Sequence, residues 1–333
     1  MKIIVPMAGM GKRLRPHTLT TPKPLVPIAG KPIVQRLVED IVAISDQKVD
    51  EIAYVVGRFG TEAENHLIKV AENLGAKGTI HYQDEALGTA HAVLCAASAL
   101  EGPVTVAFAD TLFRADFKLD TSKDGVLWVQ KIEDPRQFGV VIVNGEGNIT
   151  EFKEKPQEFV SDLAMIGIYY FKDGAALKAE LQYLIDNNIT NGGEYQLPDA
   201  LRNMVSKGAK FGPGTVLDWM DCGNKDAVVD TNQKVLGYIA DQLTVPASAT
   251  VENSVIIPPC YIGENAVIKN AVVGPFVSVG ANGCVESAVV SNSILMNNSS
   301  VKKVSLADAM IGNFASVEGA AQVLNLGDYS TIK

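Results

Sequence analysis

Residues 1–243 predict an α/β domain, and residues 244–333 predict a stack of short parallel strands. The first expectation rests on short apolar segments that alternate with amphipathic ones, a pattern that builds βαβ units. Such units assemble a Rossmann-like, mixed but mainly parallel sheet flanked by helices. The second rests on the loss of helical period after Val245 and on a six-residue recurrence of branched aliphatics that replaces it. At 333 residues the chain also exceeds what one hydrophobic core usually organises, so two domains of unequal size are expected.

Strands are predicted at 2–6, 51–56, 79–83, 104–109, 126–131, 140–143 and 165–171, and helices at 33–44, 62–74, 89–100, 175–187, 197–207 and 225–242. Asn144-Gly-Glu-Gly147 reads as a hairpin turn, so antiparallel strands should join the sheet late. In the tail, seventeen-residue segments starting at Ser254, Ala271 and Ala288 put Val255, Val272 and Val289 in one column. Ile262, Val279 and Met296 fall in another, and Val267, Val273, Val279 and Val285 recur every six residues. That period predicts a short left-handed parallel β-helix with three sides per coil and a ragged cap around Ile311-Gly312.

Composition narrows the function. Hydrophobic residues make up 47% and charged residues 20%, which is the balance of a folded chain. A net charge of -9 argues against wholesale binding to nucleic acid or to an anionic membrane, so local basic clusters become informative. No apolar run is long enough to span a bilayer and residues 1–6 read as a strand, so a cytoplasmic protein is expected. Cys95, Cys222, Cys260 and Cys284 lie far apart with no Cys-x-x-Cys pair, a spacing that suits neither a zinc site nor a disulfide framework.

Chemistry concentrates at the end of the first strand. Ala8-Gly-Met-Gly-Lys-Arg13 puts Gly9 and Gly11 where open α/β sheets bind ligands, so that backbone N–H groups can close around phosphate oxygens, with Lys12, Arg13 and Arg15 adding positive charge. Prolines at 22, 24, 27 and 32 hold the next segment extended and keep Lys23 on a stiff loop. Together, Gly-x-Gly-x-Arg-Leu-x-Pro and Pro-Lys-Pro-Leu-x-Pro-Ile-x-Gly-Lys-Pro resemble the sugar-phosphate nucleotidylyltransferase family, which includes glucose-1-phosphate thymidylyltransferases and uridylyltransferases. Lys12 departs from it, since the family usually has Thr there.

The resemblance implies roles for further positions. Gln83, followed by Asp-Glu-Ala-Leu-Gly88, looks like the base-binding element, and an amide edge is complementary to uracil or thymine. Taken alone, His91 reads as a helix-face residue without catalytic meaning. Asp110 and Asp221 match the family's metal-binding aspartates, and two carboxylates with phosphate oxygens suit Mg2+. Gly139, Glu154, Lys155, Tyr169 and Glu194 resemble positions that contact the hexose and its phosphate, although Pro198 stands where the family has Thr.

The implied reaction is attack by a phosphate oxygen of a hexose 1-phosphate on the α-phosphorus of dTTP or UTP, with release of pyrophosphate. That oxygen is already ionised, so no general base is required, and catalysis rests on alignment and charge neutralisation by Arg13, Lys23, Lys155 and Mg2+ on Asp110 and Asp221. Self-association through the β-helix is implied as well. Two other readings stand beside it: a non-catalytic scaffolding subunit, and a bifunctional enzyme with an acyltransferase tail, although His17, His66, His81 and His91 all precede that tail.

Overall fold

The computed structural model describes residues 1–116, 119, 122–136 and 138–320. The end of the predicted second domain, residues 321–333, lies outside the described residues. Contacts divide the chain into two compact units, Met1–Val26 with Lys31–Asn224, and Pro27–Gly30 with Lys225–Lys333. The change of repeat at 243/244 and the contact boundary at 224/225 therefore differ by one helix.

In the first unit, strands β1 (Lys2–Pro6), β2 (Glu51–Val56), β3 (Lys77–Tyr82) and β4 (Val104–Ala107) lie parallel: Lys2 pairs with both Glu51 and Val104, and Glu51 with Lys77. Ile3, Ile4 and Val5 are fully buried, as a strand covered on both faces requires. Helix α1 (Ile33–Ile44) buries Ile33, Val34, Leu37, Val38 and Ile41, one stripe of a 3.6-residue period. Helix α2 (Thr61–Asn73) follows β2, and α3 (Thr89–Leu94) follows β3.

The chain then changes direction. Its later elements are β5 (Thr111–Arg114), β6 (Gly125–Lys131), β7 (Gly139–Val143), β8 (Ile149–Glu154), β9 (Leu163–Phe171), α4 (Gly174–Asp186), α5 (Leu197–Ser206), β10 (Phe211–Thr215) and β11 (Asp218–Asp221). The nine-stranded sheet runs β8-β7-β9-β4-β1-β2-β3, with β6 between β9 and β10. Strand β9 is antiparallel to β4, β6 and β7. The predicted hairpin joins β7 to β8: Gly147 takes φ 75°, and the Asn144 carboxamide accepts from the N–H groups of Glu146 and Asn148, both at 3.0 Å.

One expected helix is shorter, and three of the strands were not expected. The helix predicted to run to residue 100 ends at Leu94, after which bonds from Ala96 to Val93 and from Ala99 to Ala96 wind the chain more tightly and still bury Ala96, Ala99 and Leu100. Strand β10 was hidden by Gly212-Pro213-Gly214, which reads as turn chemistry; among the described strands it pairs with β6 alone, and a proline is tolerated on such an edge. Strands β5 and β11 are four residues each, too short for a period to show.

The second unit holds α6 (Lys225–Tyr238) and three parallel sheets of five, four and four strands, consistent with a left-handed parallel β-helix. Thr250, Val267, Cys284, Ser300 and Ser316 stack in register, so the coils advance by 17, 17, 16 and 16 residues. The predicted column Val255, Val272 and Val289 is real, but it faces outward, with Val255 57% and Val289 49% exposed, while Ile256, Val273 and Val290 point inward. The second column shifts where a coil shortens: Val279 pairs with Leu295 instead of Met296. The cap is more regular than expected, since Leu295 continues to Ile311.

The corners repeat too. Asn253, Asn270, Ser287 and Lys303 take φ of 51°, 50°, 52° and 53°, and Asn265, Asn282, Asn298 and Phe314 take 55°, 56°, 58° and 59°. Asparagine is the L-residue that enters this left-handed region most readily, which explains why it recurs at coil spacing. Inside the unit, fully buried Asn232 on α6 accepts through Oδ1 from Ala29 N at 2.9 Å and from Ser278 Oγ at 2.7 Å. Among the described residues no helix is long and apolar enough to cross a membrane.

Candidate active site

In the first unit a cleft of about 490 Å³ opens at the carboxyl ends of β1 and β4. It is lined by Ala8, Gly9, Gly11, Lys12, Arg13, Lys23, Gln83, Gly88, Asp110 and Glu194 among others, so ten of the residues singled out in the sequence share one space.

The glycine loop begins as β1 ends. Met7 N–H still bonds Val55 O at 2.8 Å, after which the chain leaves the sheet. Gly11 turns it with φ 57°, and a Cβ there would sit 2.9 Å from Lys23 Cβ and 3.1 Å from Thr18 Cγ2. A side chain is excluded twice, by conformation and by space. Thr18 Oγ1 ties the loop by donating to Gly11 O at 2.9 Å, and buried Leu14 anchors the turn that carries Lys12 and Arg13.

Lys23 is 9% exposed, and its Nζ stands 3.1 Å from Asp110 Oδ2. Asp110 follows β4, and the β5–β11 pair brings Asp221 beside it: Asp221 lies opposite Thr111, and Cys222 N–H donates to Asp110 O at 3.0 Å. Gly223 N–H donates to Asp221 Oδ1 at 2.9 Å, and a Cβ on Gly223 would lie 3.0 Å from that carboxylate and 3.1 Å from Arg13 Nη2. Asp221 is open to solvent by area, yet its carboxyl is pushed up from the ordinary range, first by lost hydration and then by the Asp110 charge, against Lys23 and Arg13. Asp110, Lys23 and Arg13 line the cleft and Asp221 does not, but it stands beside them, so that two acids and two cations act on one another electrostatically.

Gln83, also in the cleft lining, directly follows β3, with its N–H bonded to Val56 O at 2.9 Å. Its side-chain Nε2 lies 3.2 Å from Gly88 O and 3.2 Å from His91 Nδ1. Gly88 has φ 112°, and a Cβ there would meet Tyr195 O at 2.4 Å, because the 191–196 loop packs on this segment through Tyr195 N–H to Leu87 O at 2.8 Å. That packing delivers Glu194 to the cleft.

The residues assigned to the sugar are more dispersed. Gly139 and Glu154 face each other across β7 and β8, and a Cβ on Gly139 would sit 2.8 Å from Glu154 Oε2. Tyr169 is 6% exposed and stacks edge-on against Phe108, which lines the cleft, with ring centroids 6.3 Å apart. Its hydroxyl is raised by burial and then by Glu154 and Asp110. Lys155 is exposed, has φ 43°, and does not line the cleft. Phe108 was not singled out in the sequence, and His91, read there as a helix-face residue, stands eight residues beyond Gln83 on α3.

A family model described as Nucleotidyl transferase matches residues 2–237. The chain belongs to the nucleotidyl transferase family. Among curated relatives, the Bifunctional protein GlmU of Methanocaldococcus jannaschii is 30% identical over 258 residues, covering 77% of this chain and 59% of that protein. The Low-salt glycan biosynthesis nucleotidyltransferase Agl11 of Haloferax volcanii is 30% identical over 262 residues, 74% of this chain and 71% of its own. The match thus spans about three-fifths of the GlmU relative. Among solved structures, a nucleoside-diphosphate-sugar pyrophosphorylase from Vibrio cholerae RC9 superposes with a TM-score of 0.60 at 20% identity, over 69% of this chain and 99% of that one. A UDP-glucose pyrophosphorylase complexed with UDP-glucose gives 0.58 at 22%, over 71% and 98%. These likenesses show the nucleotidyl transferase fold.

Proposed function

We propose that this chain joins a nucleoside triphosphate, dTTP or UTP, to a hexose 1-phosphate, with glucose 1-phosphate the first candidate, and releases pyrophosphate. The observation that carries the reading is the meeting of Lys23, Asp110 and Arg13 in one glycine-lined cleft, with Asp221 directly beside them. Lys12, Arg13 and the loop N–H groups serve the triphosphate, and Lys23, held by its aspartate, presents charge without paying rotamer entropy on binding. Gln83 and Gly88 receive the base, and Glu154, Tyr169 and Glu194 meet the sugar.

Two neighbouring carboxylates offer hard oxygen ligands and leave room for phosphate oxygens and water, so Asp110 and Asp221 would hold Mg2+. When bound, the ion offsets negative charge on the phosphates. The protein's own contribution is alignment: two polyanions repel, and fixed cations on a rigid loop let them approach in line. The test is a matrix of nucleoside triphosphates against sugar 1-phosphates, scored by pyrophosphate. Release above background with a pyrimidine triphosphate supports the reading; silence across the matrix supports a scaffolding subunit.

A further inference from the structure

Resting on that reading, we infer that His91 is a positioning residue that, beside the Gly88 carbonyl, holds the second N–H of the Gln83 carboxamide, so that the cleft offers the base an acceptor and selects bases carrying a ring N–H. A Gln carboxamide has two N–H donors and one carbonyl acceptor. Gln83 Nε2 faces Gly88 O at 3.2 Å and His91 Nδ1 at 3.2 Å. A backbone carbonyl can only accept, so the nitrogen of the amide stands on that side; an amide oxygen in its place would set two acceptors face to face. The second proton then meets His91 Nδ1, which must be the unprotonated ring nitrogen.

Both donors are thereby consumed within the protein, and Gln83 Oε1 is the valence left for a ligand. Gln83 lines the cleft and His91 does not, which separates the reading group from the group that aims it. The tautomer is supported from behind, where His91 Nε2, carrying the proton, lies 4.0 Å from Cys95 Sγ. Uracil and thymine present an N3–H donor to such an acceptor, whereas cytosine presents a bare N3 at the same place. A site with its polar group committed to one sense rejects the opposite pattern strongly, since the mismatch sets acceptor against acceptor.

The test measures equilibrium binding of UTP and CTP to the full chain, apart from catalysis. Wild type is expected to bind UTP about tenfold or more tightly than CTP. In His91→Leu the second N–H loses its acceptor and the carboxamide keeps only the bond to Gly88 O, so it can swing within the cleft and the preference should fall severalfold while the melting temperature stays near wild type. In His91→Asn an acceptor oxygen stands close to the position of Nδ1, and the preference should return. That rescue is what a purely structural role for the ring would not produce. A wild type that binds CTP as well as UTP, or a His91→Leu variant that keeps the full preference, overturns the inference; so does an Asn variant as unselective as Leu. Absence of pyrophosphate release with an intact binding preference would defeat the proposed reaction alone.

Discussion

Asp110 answers to two demands: its carboxylate holds Lys23 Nζ at 3.1 Å, and its backbone oxygen accepts the N–H of Cys222, keeping Asp221 alongside. Asp110→Asn preserves shape and the backbone bond but removes the charge. Turnover should fall by about two to three orders of magnitude with an unchanged circular dichroism spectrum; near-normal pyrophosphate release in that variant would remove Asp110 from the chemistry. Gly88→Ala probes the wall proposed to receive the base. At φ 112°, with Tyr195 O 2.4 Å from the new methyl, the 191–196 loop must move, so the apparent KM for the nucleotide should rise at least about tenfold. A KM within a factor of two of wild type would show that the loop does not shape the nucleotide site.

At the scale of elements, α1 carries a pH response. The Asp40 carboxyl is pushed up to about 6, first by burial, with Glu39 adding to it and Arg36 and Lys31 opposing. Because the folded chain holds this proton more tightly than the unfolded one, the stability from Asp40 is full below the ordinary carboxylate range and is lost as pH rises through about 6. Asp40→Asn should therefore flatten the stability profile between about pH 4 and 6 and gain about 1–2 kcal/mol at neutral pH, read from urea midpoints; partial exposure keeps the gain that small. A variant that loses stability at neutral pH would contradict this account. In the second unit Asn232→Ala removes the buried oxygen that accepts from the Ala29 N–H and the Ser278 hydroxyl, and chemical denaturation should report a loss of about 2–4 kcal/mol.

Over the whole molecule, the two units differ in how their order is encoded. The β-helix repeats one coil, so a charge placed inward should be far more damaging than the same charge one residue away. Val290→Asp puts a carboxylate into a fully buried position and should cost more than about 3 kcal/mol, whereas Val289→Asp, on a side chain 49% exposed, should change stability by less than about 0.5 kcal/mol. Equal effects of the two in calorimetry would refute the assigned register.

Strand alternation, the glycine loop, the stiff proline-rich segment and the valine repeat were all legible without coordinates, because each depends on residues close in sequence: period, turn geometry, local charge. The ten residues that share the cleft were legible for the same reason, through motifs confined to short stretches. Tertiary structure alone decided the rest. Asp110 and Asp221 stand 111 positions apart, and only the antiparallel pairing of Asp221 with Thr111 makes them neighbours. The outward face of Val255 and Val289 depends on which side of a coil closes the core, and a valine looks the same in sequence whichever way it points. His91 acquires meaning only from the carbonyl of Gly88, which settles the sense of an amide that composition leaves free to turn. Periodicity is a property of the chain; which groups face one another is a property of packing.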